Sequence, residues 1–99
     1  MVIAVFRSTL RPGIEEEFIA LGDRMLEIAE KMPGFISYKV YKTAEGERCS
    51  VIEFETREHI AAWRDLPEHV AAQQRGRERY YEKYSLFVSE PERESHFQL

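Results

Sequence analysis

The stretch from Trp63 to Tyr84 concentrates the side chains of this 99-residue chain that could take part in chemistry. It holds the only tryptophan, one of the three histidines and three of the five tyrosines. An indole ring can stack on a flat aromatic ligand, and phenol hydroxyls can orient one through hydrogen bonds. A neutral imidazole can accept a proton. These residue types make the stretch a candidate wall of a pocket.

His69 is the candidate for the proton-accepting group. It lies in the first turn of a predicted helix, where the helix dipole lowers the pKa of an imidazole and keeps it neutral. Such a histidine could take a proton from a phenolic substrate. The alternative is a structural histidine whose ring hydrogen-bonds a nearby backbone group. His59 and His96 are expected to be solvated, and three scattered histidines without matching carboxylate spacing predict no metal site.

Tyr38 and Trp63 are the candidates for holding a substrate. Tyr38 stands in the middle of a predicted strand among apolar neighbours, so its hydroxyl could reach a ligand, although such tyrosines are more often core edges with a wet tip. Trp63 faces the predicted sheet and is either a core aromatic or the wall of a pocket. The arginines at positions 75, 77 and 79 form a basic helix face, which we expect to pair with Glu78 and Glu82; the alternative is an anionic ligand.

Composition and charge exclude several classes of protein. The net charge of −4 has the wrong sign for general nucleic-acid binding. No apolar run approaches the roughly 20 residues that a membrane span needs. The single cysteine, Cys49, excludes an internal disulfide, and a cytoplasmic location is expected. Residues 1–99 are predicted to form one domain, with a polar tail from about residue 92 to residue 99.

Hydrophobic periodicity predicts alternating strands and helices. Two-residue alternation or apolar runs mark strands, and spacings of three and four mark helices. Thr56 is a predicted helix cap, and Asp65 with Glu68 reads as the capping box of a further helix that runs to about Arg79. The predicted strands cover 2–10, 35–42, 48–54 and a last segment around 86–88, and the first helix covers about 14–32.

The order βαββαβ predicts an α+β fold, the ferredoxin-like plait, with a four-stranded antiparallel sheet and helices on one face. The first two strands carry apolar residues on both faces, which would leave an apolar open side of the sheet. We therefore expect a homodimer that packs through this open face.

Several motifs resemble those of the antibiotic biosynthesis monooxygenase (ABM) domain family, whose fold is a dimeric α+β barrel. Pro33-Gly34-Phe35-Ile36-Ser37-Tyr38 opens the second strand in the same way. The further matching segments are Trp63-Arg64, Pro67-Glu68-His69, Ala72-Gln73, Gly76-Arg77 and Tyr81-Glu82-x-Tyr84.

The resemblance implies a cofactor-independent monooxygenase acting on a small phenol- or quinol-like substrate, with His69 and Tyr38 as catalytic candidates. It implies no cofactor, and a pocket lined by Trp63, Tyr38, Phe6, Gln73 and Tyr81. The first alternative is a haem-binding or haem-degrading monooxygenase, because some family members degrade haem. Their haem-ligating histidine falls nearest Gln73, however, and their first-strand asparagine nearest Phe6. The second alternative is a non-catalytic, small-molecule-binding or stress-related dimer.

Overall fold

The computed structural model describes all residues from 1 to 99. Three predicted strands have the expected bounds, and the last strand begins earlier than expected because it starts directly after a helical segment. The elements are β1 (Val2–Leu10), α1 (Glu15–Glu30), β2 (Phe35–Lys42), β3 (Arg48–Phe54), α2 (Arg57–Arg64), α3 (Pro67–Arg75), a π-helical segment (Gly76–Tyr80) and β4 (Tyr81–Ser89).

The four strands form one antiparallel sheet in the order β2-β3-β1-β4, with β1 and β3 in the centre. Every strand pair is antiparallel, and the helices follow β1 and β3 along the chain. The predicted ferredoxin-like α+β fold is therefore confirmed. No helix of the chain is long and apolar enough to cross a membrane.

The main core lies between one face of the central strands and the helices. Alternate residues of β1 and β3 point to this side, as the two-residue period of a strand requires. Removing such side chains from water stabilises the fold by about 1.5–3 kcal/mol for each large one. The buried members of this core are Val2, Ala4, Ala29, Ile52, Phe54, Ile60 and Trp63.

A bulge at the start of β2 changes the face on which Phe35 lies. Strict alternation from Phe35 would place its ring with Ser37, on the side away from the helices. The register instead shifts between Phe35 and Ser37, and Phe35 packs on the core with its ring 5.8 Å from that of Phe54. One extra residue in a strand reverses the alternation locally, so Phe35 and Tyr38 both contact the core.

The two short helices begin differently from each other. Thr56 caps α2 as predicted, since its side chain accepts a hydrogen bond from the His59 backbone N–H. The predicted capping box at Asp65 is wrong: the N-cap of α3 is Leu66, and it makes no side-chain cap bond. Pro67 occupies the first turn and holds Leu66 in an extended conformation. The Asp65 carboxylate instead accepts from Arg64 at 2.9 Å.

The basic residues of the last helical turns reach across to α1 rather than along their own helix. Arg75 and Arg79 both donate to the carboxylate of Glu17, at 2.6 and 2.7 Å. The expected pairing with Glu78 and Glu82 is therefore wrong for these two arginines. Glu17 lies on the first turn of α1, so the two ion pairs connect α1 to the segment that leads into β4.

His59 is not solvated as expected. It is half-buried, its Nδ1 lies 2.9 Å from the Thr56 hydroxyl, and its ring packs directly over the backbone of Gly34. Beyond Ser89 the chain forms no helix or strand, and the side chains of Phe97 and Leu99 are exposed.

Candidate active site

Five aromatic rings meet on the helix-facing side of the sheet, at the end away from the main core. We call them the aromatic cluster: Phe6, Phe18, Tyr80, Tyr81 and Tyr84. The ring of Phe6 lies 5.2 Å from those of Tyr81 and Tyr84. Phe18 of α1 presents its edge to Tyr80 and Tyr81 at 5.7 Å. Edge-to-face contacts at these distances are favourable for aromatic rings.

Two features hold the turn that places Tyr81 in this cluster: a close approach at Gly76 and hydrogen bonds from Arg11. Gly76 leaves room for the Tyr81 ring, because a Cβ at Gly76 would lie 2.4 Å from the ring atom Cε2. The Arg11 guanidinium donates to the carbonyl oxygens of Arg77, Glu78 and Tyr81 at 3.2, 2.8 and 3.1 Å. These bonds satisfy carbonyls at the end of the π-helical segment, a rare geometry that is frequent at functional sites.

Tyr81 is an uncharged phenol at neutral pH. Burial raises its pKa to about 12, the neighbouring phenols of Tyr38 and Tyr84 add to the rise, and the positive charge of Arg48 acts against it. Among the tyrosine hydroxyls only those of Tyr38 and Tyr80 form hydrogen bonds within the chain. The Tyr81 hydroxyl therefore has a proton that it can share with a ligand.

Tyr38 lies at the border between the aromatic cluster and the main core. It packs against the core, and its hydroxyl donates to Ser50 Oγ at 3.4 Å. This contact is long and weak, so a ligand oxygen could replace Ser50 as the acceptor. Tyr38 and Tyr81 together place two phenol hydroxyls on the same region of the sheet.

Trp63 and His69 form a second group, which we call the Trp63–His69 pair. Their rings are stacked with centroids 4.0 Å apart, and the indole also lies 5.8 Å from the ring of Phe54. Trp63 is buried, yet its indole Nε1 has no hydrogen-bond partner. An unpaired buried N–H costs about 1–3 kcal/mol, so this atom is a donor available to a bound molecule or a water.

The imidazole of His69 is also neutral, but the main reason is burial. Burial lowers its pKa, while contacts with the backbone carbonyls of Trp63 and Arg64 raise it. The Gln73 amide nitrogen lies 3.4 Å from Nδ1 of His69 and 3.3 Å from the carbonyl oxygen of Arg64. The His69 ring therefore has polar partners on α3 and at the end of α2.

The structure thus divides the residues predicted from the sequence into two groups. Phe6, Tyr38 and Tyr81 gather at the aromatic cluster, whereas His69 and Gln73 gather around Trp63. No aromatic contact joins the two groups. Sequence reasoning named neither Phe18, which lies within the first predicted helix, nor Arg48, the first residue of a predicted strand, as a site residue.

Two open depressions on the surface are lined mostly by polar side chains, and neither contains any of the six predicted site residues. Tyr84 of the aromatic cluster borders one of them, beside Arg7 and Glu47. No group of three or more histidine, cysteine, aspartate or glutamate side chains is arranged to hold a metal ion.

Comparison with known proteins places the chain in a family. Residues 1–75 match the antibiotic biosynthesis monooxygenase family, and the chain belongs to that family. It is 30% identical over 95 residues to the uncharacterized protein YqjZ of Bacillus subtilis, and the matched region covers 96% of this chain and 83% of YqjZ.

Solved structures share the fold at low sequence identity. Rv0793 from Mycobacterium tuberculosis superposes with a TM-score of 0.83 at 23% identity, over 96% of this chain and 98% of Rv0793. A variant of SnoaB, described as a cofactor-independent oxygenase from Streptomyces nogalater, gives 0.80 at 14% identity, over 94% of each chain.

Proposed function

We propose that the protein is a cofactor-independent monooxygenase that acts on a small phenol- or quinol-like substrate held between the sheet and the helices. The observation that carries the proposal is the aromatic cluster, in which the uncharged phenol of Tyr81 forms no hydrogen bond of its own. Membership of the monooxygenase family and the fold shared with SnoaB support it.

The proposed reaction draws all its electrons from the substrate. An electron-rich phenolate reacts with O₂, and the ring carbon opposite the hydroxyl changes from C–H to C=O. One oxygen atom of O₂ enters the product quinone, and the other leaves as water with the two hydrogens lost by the substrate. The four electrons that reduce O₂ come from the ring, so no external reductant takes part.

In this reaction the protein binds, orients and stabilises an anion. The aromatic cluster would pack on the ring and exclude water, and the Tyr81 hydroxyl would donate to the oxygen that carries negative charge. Tyr38 would orient the ring from the border of the main core. Trp63, from the Trp63–His69 pair, would donate its unpaired N–H to the substrate.

His69 is the proposed base, and its surroundings set a condition on that role. Its Nδ1 faces the Gln73 amide, and the carbonyls of Trp63 and Arg64 lie at the ring. To accept a substrate proton at Nδ1, the imidazole must first lose the Gln73 contact. His69→Gln should then abolish the acidic limb of the pH–rate profile, whereas a purely structural histidine would leave that limb in place.

Oxygen uptake with a panel of phenols and 1-naphthols that carry hydrogen on the ring carbon opposite the hydroxyl tests the function. Removing one donor to a developing anion costs about 100-fold or more in kcat, so the kcat of Tyr81→Phe should fall by roughly that factor. Trp63→Phe should also lower the rate, because it removes the indole N–H. The matched control is Tyr41→Phe, on an exposed tyrosine of the opposite sheet face. A panel without turnover above background would remove the proposal. Binding without turnover would favour a non-catalytic binding protein.

Haem chemistry fits these residues poorly. An axial haem ligand is a histidine, cysteine, methionine or tyrosine, whereas the position of the family's haem-ligating histidine holds the amide of Gln73. The position of the family's first-strand asparagine holds the phenyl ring of Phe6. Gln73 is also engaged with Arg64 and His69, and Phe6 is packed against two tyrosines. We expect no Soret shift when haem is added to the protein, and a saturable shift would contradict this.

We also propose that two copies pack through their open sheet faces. An apolar row crosses this face from Val51 through Val5 to Phe87, and the Phe87 side chain is 57% exposed. Exposed apolar rows of this kind mark interaction surfaces. Phe87→Glu should shift the molar mass by light scattering from dimer to monomer, whereas Val70→Glu on α3 should not. A wild-type monomer at micromolar concentration would contradict the proposal.

A further inference from the structure

Arg48 differs in burial from every other arginine and lysine of the chain. The other nine arginines and all four lysines are exposed, whereas Arg48 is half-buried at the start of β3. Six arginines pair with carboxylates, and Arg11 donates to backbone carbonyls. Arg48 makes no ion pair and no hydrogen bond. Withdrawing an unpaired charge from water is unfavourable, so its position needs a compensating partner.

The surroundings of Arg48 supply only part of that compensation. Its guanidinium carbon lies 5.3 Å from the centre of the Phe18 ring, a cation–π contact that is weak where water has access. Its neighbours across the sheet are Lys42 and Ser8, neither of which carries negative charge. The nearby acids are engaged elsewhere, since Glu15 pairs with Lys42 and Glu47 pairs with Arg7.

The guanidinium also lies beside the aromatic cluster. Phe18, over which it sits, belongs to that cluster, and its charge acts on the Tyr81 hydroxyl. A free arginine fork next to stacked rings matches a ligand that combines an aromatic ring with an anionic oxygen group. Arginine binds a carboxylate through two parallel hydrogen bonds, which gives both energy and orientation.

We propose that Arg48 binds a carboxylate on the aromatic substrate, so that the protein selects phenolic aromatic acids over neutral phenols. This inference rests on the proposed function, because it places the substrate ring at the aromatic cluster. It assigns to Arg48 a role in specificity: it would fix the end of the substrate opposite the reacting phenol.

Two ligands that differ only in the carboxylate test the inference. Calorimetric titration would compare 6-hydroxy-2-naphthoic acid with 2-naphthol on the full-length protein. A hydrogen-bonded charged group contributes about 1.5–3 kcal/mol, so the acid should bind at least about tenfold more tightly. Arg48→Gln should remove this preference and leave naphthol binding unchanged. Arg48→Lys, which keeps the charge but not the fork, should retain part of the preference.

Arg77→Gln is the matched control, since Arg77 is exposed, has no ion-pair partner and lies on the π-helical segment. It should change neither affinity. Equal affinity of the wild type for the two ligands, or an equal loss of both affinities in Arg48→Gln, would overturn the role of Arg48 while leaving ligand binding at the aromatic cluster in place. A wild type that binds neither ligand would overturn binding at the aromatic cluster and this inference together.

Discussion

The imidazole of His69 lies flat against the indole of Trp63, with ring centroids 4.0 Å apart and ring planes inclined by 28°. The two residues belong to different helices, α2 and α3, which Leu66 and Pro67 separate by a sharp restart. The stacked rings therefore join the two short helices, together with the contact of the Gln73 amide to the Arg64 carbonyl.

Removing the indole should release this contact. Trp63→Ala should lower the free energy of unfolding by about 3–5 kcal/mol, as for other large aromatic residues deleted from a core. Trp63→Phe should cost less, because a ring remains against Phe54 and no buried N–H is left without a partner. Urea denaturation of both variants measures the difference. A Trp63→Ala variant as stable as the wild type would show that the stack contributes little.

His69 should make stability depend on pH below neutrality. Burial lowers its folded-state pKa below the unfolded value of about 6.5, so between those two values the unfolded chain binds a proton that the folded chain does not. Stability should therefore fall as pH drops below 6.5 and be unaffected by this group above it. Thermal melts from pH 7.5 to 5.5 should show a flatter dependence for His69→Gln than for wild type. His96→Gln, in the exposed tail, should follow the wild type.

Two glycines within helical segments should respond in opposite directions to alanine. Gly22 on α1 has open space where a Cβ would lie, so Gly22→Ala should stabilise the protein by about 0.5–1 kcal/mol. Gly76→Ala gains the same helical preference but drives a methyl group into Tyr81, whose ring is held by Phe6 and Phe18. Gly76→Ala should therefore lose stability and oxygen uptake. Stabilisation of both variants would show that the Tyr81 ring moves freely.

Arg11 should hold the end of the π-helical segment. Arg11→Met removes three hydrogen bonds to backbone carbonyls, and the variant should lose about 1–2 kcal/mol of stability. Amide hydrogen exchange should quicken around residues 77–81 in particular. Arg77→Met removes an exposed arginine without a partner and should change neither measurement. Uniform loss of protection across the sheet in Arg11→Met would contradict a local role.

Patterns within single elements were readable from the sequence. The bounds of β1, β2 and β3, the inward side of α2 and the Thr56 cap all follow from alternation, helical spacing and capping chemistry. Strict alternation places Phe35 on the wrong face of the sheet, because no signal in the composition marks the extra residue of a bulge. The predicted Asp65 cap is wrong because the helix begins later, at Pro67, and because the Asp65 carboxylate accepts a hydrogen bond from Arg64 instead.

Relationships between distant segments were not readable in this way. The pairs from Glu17 to Arg75 and Arg79 span more than 50 residues of sequence, and local spacing favoured nearer glutamates. Phe18 has the period of a core residue, and only the tertiary fold shows that it faces Tyr80, Tyr81 and Arg48. The unpaired state of Arg48 is a property of its neighbours, which no single stretch of sequence contains.

The π-helical segment lies between the elements that form the main core and the strand that carries Tyr81 and Tyr84 of the aromatic cluster. The family match ends at Arg75, and the rings of Tyr80, Tyr81 and Tyr84 all come after it. Three strands and the main core precede that point, whereas β4 pairs with β1 along its length. Substitutions among the tyrosines from Tyr80 to Tyr84 that keep this pairing would thus exchange the rings presented to a ligand while the sheet stays the same. Within one inherited framework, the last quarter of the chain is where a new substrate preference can arise.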